Sequence, residues 1–330
     1  MRVLLIFLTV CCAWSSLFAG PLPRPSVRLQ QVDVVLLHAE LGAVSEGKLQ
    51  VIPLEVLHSE AASRAADAGA KPADLTPLAI RVPAWMAAKF TPGQRVLLGY
   101  LALVRDRSNP NKSYKTDPNG PAILSDLGLE PAVLPDRPEL RSWLARKELN
   151  APFNAAERSQ LLAWLGDSDP QVRQFAVAEL TLGGRADNAP ATRTALLAFL
   201  ADPDAPAAAR ALVLETAERG NADYPRVQLY KLASELLEQL PTEFRLDGRS
   251  EGALIAQMAF DILHEQKQVS ARERWLRSNV APLAEVAYLQ LKRHAPERAE
   301  QILRQTLANS LLAPTTRVLL LGYVKPLNSG

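Results

Sequence analysis

Residues 161–180 read Leu-Leu-Ala-Trp-Leu-Gly-Asp-Ser-Asp-Pro-Gln-Val-Arg-Gln-Phe-Ala-Val-Ala-Glu-Leu. An apolar face at helical spacing runs into an Asp-Ser-Asp-Pro break, and a second apolar-periodic stretch follows at once. The break has a physical logic. Aspartate side chains accept hydrogen bonds from the unpaired N–H groups that open a helix, and proline is tolerated in the first turn because its missing N–H would have had no partner there. The spacing predicts two helices whose seam is Leu161, Leu162, Leu165, Val172, Ala176 and Leu180, with Ala176 small enough for close approach. Arg173 stands where it can pair with Asp167 or Asp169.

A second copy follows 35 residues on. Trp164 aligns with Phe199, Leu165 with Leu200, and Asp167 and Asp169 with Asp202 and Asp204. A fixed period of this size is the signature of stacked helical repeats. The match then loosens: Pro206 and Ala207 to Ala209 stand in place of Pro170, Val172 and Arg173, and Arg210 takes the arginine's role two positions late. On these residues the chain resembles a HEAT repeat, best over 161–214 and more weakly to 330. The resemblance implies an α-solenoid, a surface for holding other molecules rather than a carrier of fixed chemistry. Helical periodicity continues over 224–240, 253–264, 283–294, 297–312 and 315–324, enough for about four helix pairs. A single pair is not self-sufficient, because ordering its backbone costs roughly 35–70 kcal/mol that only stacking on neighbours offsets.

Before residue 138 the pattern changes. Residues 32–40 and 48–57 are β-branched and apolar, with Ser45-Glu46-Gly47 as the turn between them, which predicts a hairpin turning at Glu46-Gly47. Pro53 places the second strand at an edge or bulge, since proline gives no N–H to a ladder. Residues 61–73 form an Ala-rich insertion. Strands resume at 78–83 and, after a helical turn at 85–88 and a Thr91-Pro92-Gly93 turn, over the long apolar run to Val104; a last strand falls at 122–124 or 132–134. Several short strands in about a hundred residues predict a small antiparallel barrel or sandwich. This stretch loosely resembles the OB-type barrels of secreted proteins. The expected class is α+β multidomain: a β-rich domain over 27–135, a boundary at Pro135-Asp136-Arg137-Pro138, and a HEAT-like α-solenoid over 139–330.

The chain opens Met1-Arg2, continues through an apolar run to Cys12, and reaches small residues at Ala19-Gly20, the layout of a secretory leader cleaved near residue 19. Residues 20–26, with Pro21, Pro23 and Pro25, then read as a linker. The apolar run is about half the length that a spanning helix needs, so no stable membrane span is expected after cleavage. Both cysteines, Cys11 and Cys12, lie within the leader, which leaves the mature chain without disulfides or thiolate chemistry. The formal charge of +2 falls to +1 when Arg2 departs, and so small an excess offers no footprint for nucleic acid.

The chemistry-bearing candidates are few. Gly248-Arg249-Ser250-Glu251-Gly252 fits the G-x-S-x-G pattern of a serine hydrolase, but that serine needs a strand-to-helix elbow in a mostly parallel sheet; the alternative is that Ser250 caps the helix after it. His38-Ala39-Glu40 and His58-Ser59-Glu60 each put an imidazole and a carboxylate on one face of a strand, a donor set suited to Zn²⁺ or Mn²⁺. A symmetric hairpin, however, pairs His38 with Glu55 and leaves His58 out of register. His264 starts no H-E-x-x-H motif, and His294 reads as a cation at a helix C-terminus. The 105–121 loop carries Arg105, Arg107, Lys112, Tyr114 and Lys115, a candidate contact for an acidic or glycan partner. Trp143, Trp164 and Trp275 read as core. No cofactor is expected. Taken together, the sequence predicts an exported, periplasmic, non-enzymatic scaffold that binds a protein of the cell envelope.

Overall fold

A two-residue turn sets the first register. In this computed structural model, which describes residues 23–59, 76–105, 114–125, 132–146, 151–183, 186–218, 223–244, 250–266 and 270–324, Glu46 and Gly47 have φ of 51° and 72°. Left-handed backbone at both turn positions matches the twist of the flanking strands. It joins β1 (Val34–Ser45) to β2 (Lys48–Ser59). Val35, Leu37, Ala39 and Leu41 alternate into the core, as a period of two requires.

The sheet continues through β3 (Leu78–Arg81), a 3-10 turn (Ala84–Lys89) and β4 (Arg95–Leu101). Further on are β5 (Leu103–Arg105), β6 (Tyr114–Thr116), β7 (Ala122–Ile123) and β8 (Val133–Pro135). The order is β1-β2-β3-β7-β4, closed by a β1–β4 ladder, with β8 added outside β4. The result is a five-stranded barrel with an extra strand. Its one parallel step joins β3 to β7. Met86, Ile80, Val96 and Leu98 help fill the interior. Both candidates for the last strand form, as β7 and β8. Pro53 sits where its missing N–H costs nothing: β3 pairs with β2 only as far as Val51, and the register slips beside it, His38 meeting Glu55 and Ala39 meeting Pro53.

The 105–121 stretch is not all loop. β5 and β6 form a separate two-stranded ribbon, with Arg105 opposite Tyr114 and Val104 opposite Lys115. The insertion expected at 61–73 lies outside the described residues, as does the leader.

Contacts divide the chain into two units, Met1–Thr192 and Arg193–Gly330. The first holds the barrel together with α1 (Pro25–Arg28), α2 (Pro138–Leu144), α3 (Ala155–Trp164) and α4 (Pro170–Thr181). Asn154 and Glu157 close a reciprocal capping box at α3, and Asp169 caps α4 by accepting from the Gln171 N–H at 2.8 Å. Of the expected seam, Leu161, Leu165, Val172, Ala176 and Leu180 are buried; Leu162 is partly exposed. The arginine behaves differently from expectation. Arg173 Nε donates to the Leu165 carbonyl at 3.0 Å, closing the end of the preceding helix, and Asp167 is held by Arg137 at 2.6 Å. At the end of the segment expected as a linker at 20–26, Arg24, Pro25 and Ser26 are buried.

α5 (Pro190–Ala201) crosses the division. Beyond it the second unit contains α6 (Ala207–Glu218), α7 (Arg226–Gln239), α8 (Glu251–Ile262), α9 (Ser270–Trp275), α10 (Ala281–His294), α11 (Pro296–Ala308) and α12 (Pro314–Leu321). α6 packs on α8, α8 on α10 and α10 on α12, with α9 against α7. Helix ends are again closed by arginines. Arg210 Nε donates to the Leu200 carbonyl at 3.1 Å, Arg272 Nη2 to those of Leu263 and Gln266 at 2.7 Å, and Arg317 to those of Leu307 and Asn309 at 2.5 Å. The short α9 was not foreseen; it seats Trp275, fully buried, with its indole N–H on the Leu237 carbonyl at 2.9 Å. Among the described residues no helix is long and apolar enough to cross a membrane.

Candidate functional site

Ser250 is the N-cap of α8, where its Oγ accepts from the Ala253 N–H at 3.2 Å. His264 lies beyond the other end of that helix, its Nδ1 on the Asp261 carbonyl at 2.7 Å. Twelve helical residues put them about 18 Å apart, so no nucleophile–base pair forms between them. Gly252 has a packing reason to be small, since a Cβ there would stand 2.8 Å from the Phe244 ring.

The two H-x-E elements are not brought together. His38 pairs with Glu55 and, past a register shift between Leu36 and Leu37, His58 pairs with Leu36; Glu40 faces Arg95 on β4, and Glu60 lies outside the described residues. Among the described residues no group of three or more His, Cys, Asp or Glu side chains is placed to hold a metal ion. Of the loop candidates, Arg105, Tyr114 and Lys115 lie on the β5–β6 ribbon, and Arg107 and Lys112 fall outside the described residues. Trp143, Trp164 and Trp275 are all buried. Trp164 packs edge-on between Trp143 and Phe175, with ring centroids at 5.4 and 6.2 Å.

Two polar clusters in the first unit were not anticipated. One surrounds Asp136, which sequence reasoning assigned only to a domain boundary. Its Oδ1 accepts from Arg141 Nε at 2.6 Å, and Arg141 reaches Glu55 at 3.3 Å. His38 Nε2 stands 3.0 Å from Asp136 Oδ2 but is not aligned for a hydrogen bond, so that contact is electrostatic. The Arg141 hydrogen bond leads in holding the Asp136 carboxyl below its usual range, against some desolvation, with His38, Arg141 and Arg95 adding charge. The cluster ties β1 and β2 to α2. Nearby, Leu41, Phe90 and Leu134 with Lys89, Gln94 and Gln171 line a depression of about 70 Å³, well short of the ~300–1,000 Å³ typical of small-molecule sites.

The other cluster is buried. Glu179, on α4, is fully inaccessible, and both carboxylate oxygens are taken by one residue 153 positions earlier: the Ser26 N–H donates to Oε1 at 2.6 Å and Ser26 Oγ to Oε2 at 3.0 Å. α1 has no side-chain cap of its own, so Glu179 caps it from a distance, the favourable sign for a helix N-terminus. Burial pushes the Glu179 carboxyl up; the Ser26 bonds and the charges of Arg146 and Arg24 work against it. Arg146 stacks over Trp143 with its guanidinium 3.5 Å from the ring centroid, and Arg24 over Phe153 at 4.1 Å. No signal in sequence links Ser26 to Glu179.

No protein-family model, no curated protein and no solved structure matches the chain.

Proposed function

We propose that the protein is an exported, non-enzymatic scaffold that binds another protein in the cell envelope, with an OB-type barrel in front of a HEAT-like helical array. The observation that carries this reading is the row α6–α8–α10–α12, whose last members, with the turn before α12, leave apolar side chains in solvent: Leu289 on α10 is 46 % exposed, Leu311 in the turn 89 %, and Val318 and Leu321 on α12 68 % and 53 %. Large exposed apolar side chains on the last helices of the row favour contact with a partner over solution chemistry. Recurrence of the arginine closure, at Leu165, Leu200 and Leu307, supports the repeat reading. The strand order, with a helical turn between β3 and β4, supports the OB-type reading.

A photo-crosslinking residue at position 318 of the full chain, expressed with its leader, tests the proposal. A defined envelope protein is expected to be trapped, to capture this chain in the reverse experiment, and to be lost when Leu289→Glu and Leu321→Glu are added to the chain that carries the crosslinker. Trapping nothing that depends on residues 139–330 overturns the scaffold reading. Sequencing the N-terminus of the chain recovered from the envelope reads export separately; an intact Met1 there contradicts cleavage.

A further inference from the structure

The segment just behind the leader is built into the first unit at several unrelated points. Ser26 supplies both hydrogen bonds to the buried Glu179 carboxylate. Arg24 Nη1 donates to the Ala151 carbonyl at 3.0 Å, and its side chain lies against Gly183, where a Cβ would be 2.8 Å from Arg24 Cγ. Leu29 is pressed onto Gly99 of β4, leaving no room for a side chain there. Gln30 donates to the Leu144 carbonyl at the end of α2. The seven residues from Arg24 to Gln30 thus touch the barrel, α2, α4 and the turn before α3. Yet their only regular structure is the four-residue α1, too short to be stable by itself.

We infer that residues 24–30 are a latch: a strap that closes the first unit in a step of its own, and that stays open while the leader is held in a membrane. The inference rests on the export reading through the position of the cut. From Gly20 to Arg24 an extended chain reaches about 14 Å at most, so a membrane-bound leader keeps the first anchor of the strap at the membrane surface. Ser26 and Glu179 are both fully buried, and seating them requires the body of the unit to close around the strap. Without Ser26, the nearest cation the carboxylate has is Arg146 Nη2 at 3.9 Å. An open strap leaves the Glu179 carboxyl without both of its hydrogen bonds, which keeps α4 loose until the strap arrives.

Hydrogen exchange resolved along the full chain tests this. In the chain beginning at Gly20, Ser26→Ala is expected to speed exchange in α4 about tenfold or more while the second unit is unaffected. A chain without residues 20–30 is expected to show the same loosening, reversed by adding the synthetic peptide of residues 21–31 and not by that peptide carrying Ser26→Ala. The leader-bearing chain on phosphatidylglycerol–phosphatidylethanolamine vesicles is expected to exchange like the strapless one. Unchanged exchange in α4 on removing residues 20–30 overturns the latch, as does collapse of both units together, which would make the segment inseparable core. Leader-bearing chain on vesicles that exchanges like the cleaved chain overturns the coupling. Export itself is read from the N-terminal sequence, so it can fail or stand independently.

Discussion

The helix pair α3–α4 and the pair α5–α6 are built alike, and where they part company says how the repeat is kept. Both turns begin with an aspartate whose carboxylate accepts the N–H two residues on, Asp167 from Asp169 at 2.8 Å and Asp202 from Asp204 at 2.9 Å. Both second helices carry an arginine as their fourth residue, Arg173 after Pro170 and Arg210 after Ala207. Each arginine bonds a carbonyl at the end of the helix before it, and these carbonyls, of Leu165 and Leu200, are 35 residues apart. The arginines are 37 apart. The additional residues fall between Asp204 and Ala207, so the turn absorbs an insertion and the arginine keeps its place in the helix. Arg317, fourth in α12, repeats the arrangement with Asn309 as the turn residue, accepting from the Leu311 N–H at 3.1 Å. What is held constant is the geometry of the closure, not the spacing in sequence.

The largest expected effect separates the aromatic seats. Trp164→Ala removes a buried ring packed between Trp143 and Phe175 and is expected to cost about 3–5 kcal/mol. If the 164 and 199 seats are equivalent, Trp164→Phe costs less than about 1.5 kcal/mol. Exchange protection in α3 and α4 measures both; a Trp164→Phe cost close to that of alanine breaks the equivalence. Next come the arginines. Arg210 is 7 % exposed, and burial pulls its guanidinium below its usual range; Arg210→Ala leaves the Leu200 carbonyl without its donor and is expected to cost about 2–3 kcal/mol. Arg173 is more accessible, and Arg173→Ala is expected to cost about 1–2 kcal/mol. Lysine at 210 is expected to restore little, because an ammonium lacks the planar fork that reaches a carbonyl while its stem packs. Equal losses at 173 and 210 would make burial irrelevant to the closure.

The barrel's hairpin was legible at its turn and at one pair, since a hairpin turning at Glu46-Gly47 puts His38 opposite Glu55, where it is found; the slips on either side of that pair, between Leu41 and Val44, at His38/Ala39 and at Leu36/Leu37, were not, because a bulge leaves no mark in an alternating pattern. The helices with caps were legible too, since Asp169 and Ser250 announce the starts of α4 and α8. The arginine partners were not. Arg173 has carboxylates within a few residues, and sequence proximity favours them; only the folded pair shows that the orphan carbonyl at the end of α3 is closer to the Nε direction. Ser26 and Glu179 were invisible for a different reason, because a bond across 153 residues leaves no periodicity or spacing to read. α9, six residues long, is below the length at which a helical period declares itself.

The smallest effect sharpens the comparison most. Each first helix also carries an arginine as its fourth residue that reaches forward to the aspartate before the next pair. Arg158 meets Asp187 at 2.7 Å and Arg193 meets Asp223 at 3.1 Å. The geometry recurs but the surroundings do not: the Asp187 side chain is 11 % exposed and that of Asp223 is 88 %. Burial works to raise the Asp187 carboxyl, but its bonds from Arg158 and Thr192 outweigh that and leave it lowered. A lowered carboxyl contributes stability that is present above its ordinary value of 3.8 and is lost as pH falls from there through the folded value. Asp187→Asn is therefore expected to cost about 1–2 kcal/mol at neutral pH and to flatten the acid limb of exchange protection around the α4–α5 turn. Asp223→Asn, on a solvent-screened pair, is expected to change stability by less than about 0.5 kcal/mol. If the two substitutions cost the same, the recurring pair works through its geometry alone; if only Asp187 matters, burial decides which copies of the device stabilise the fold.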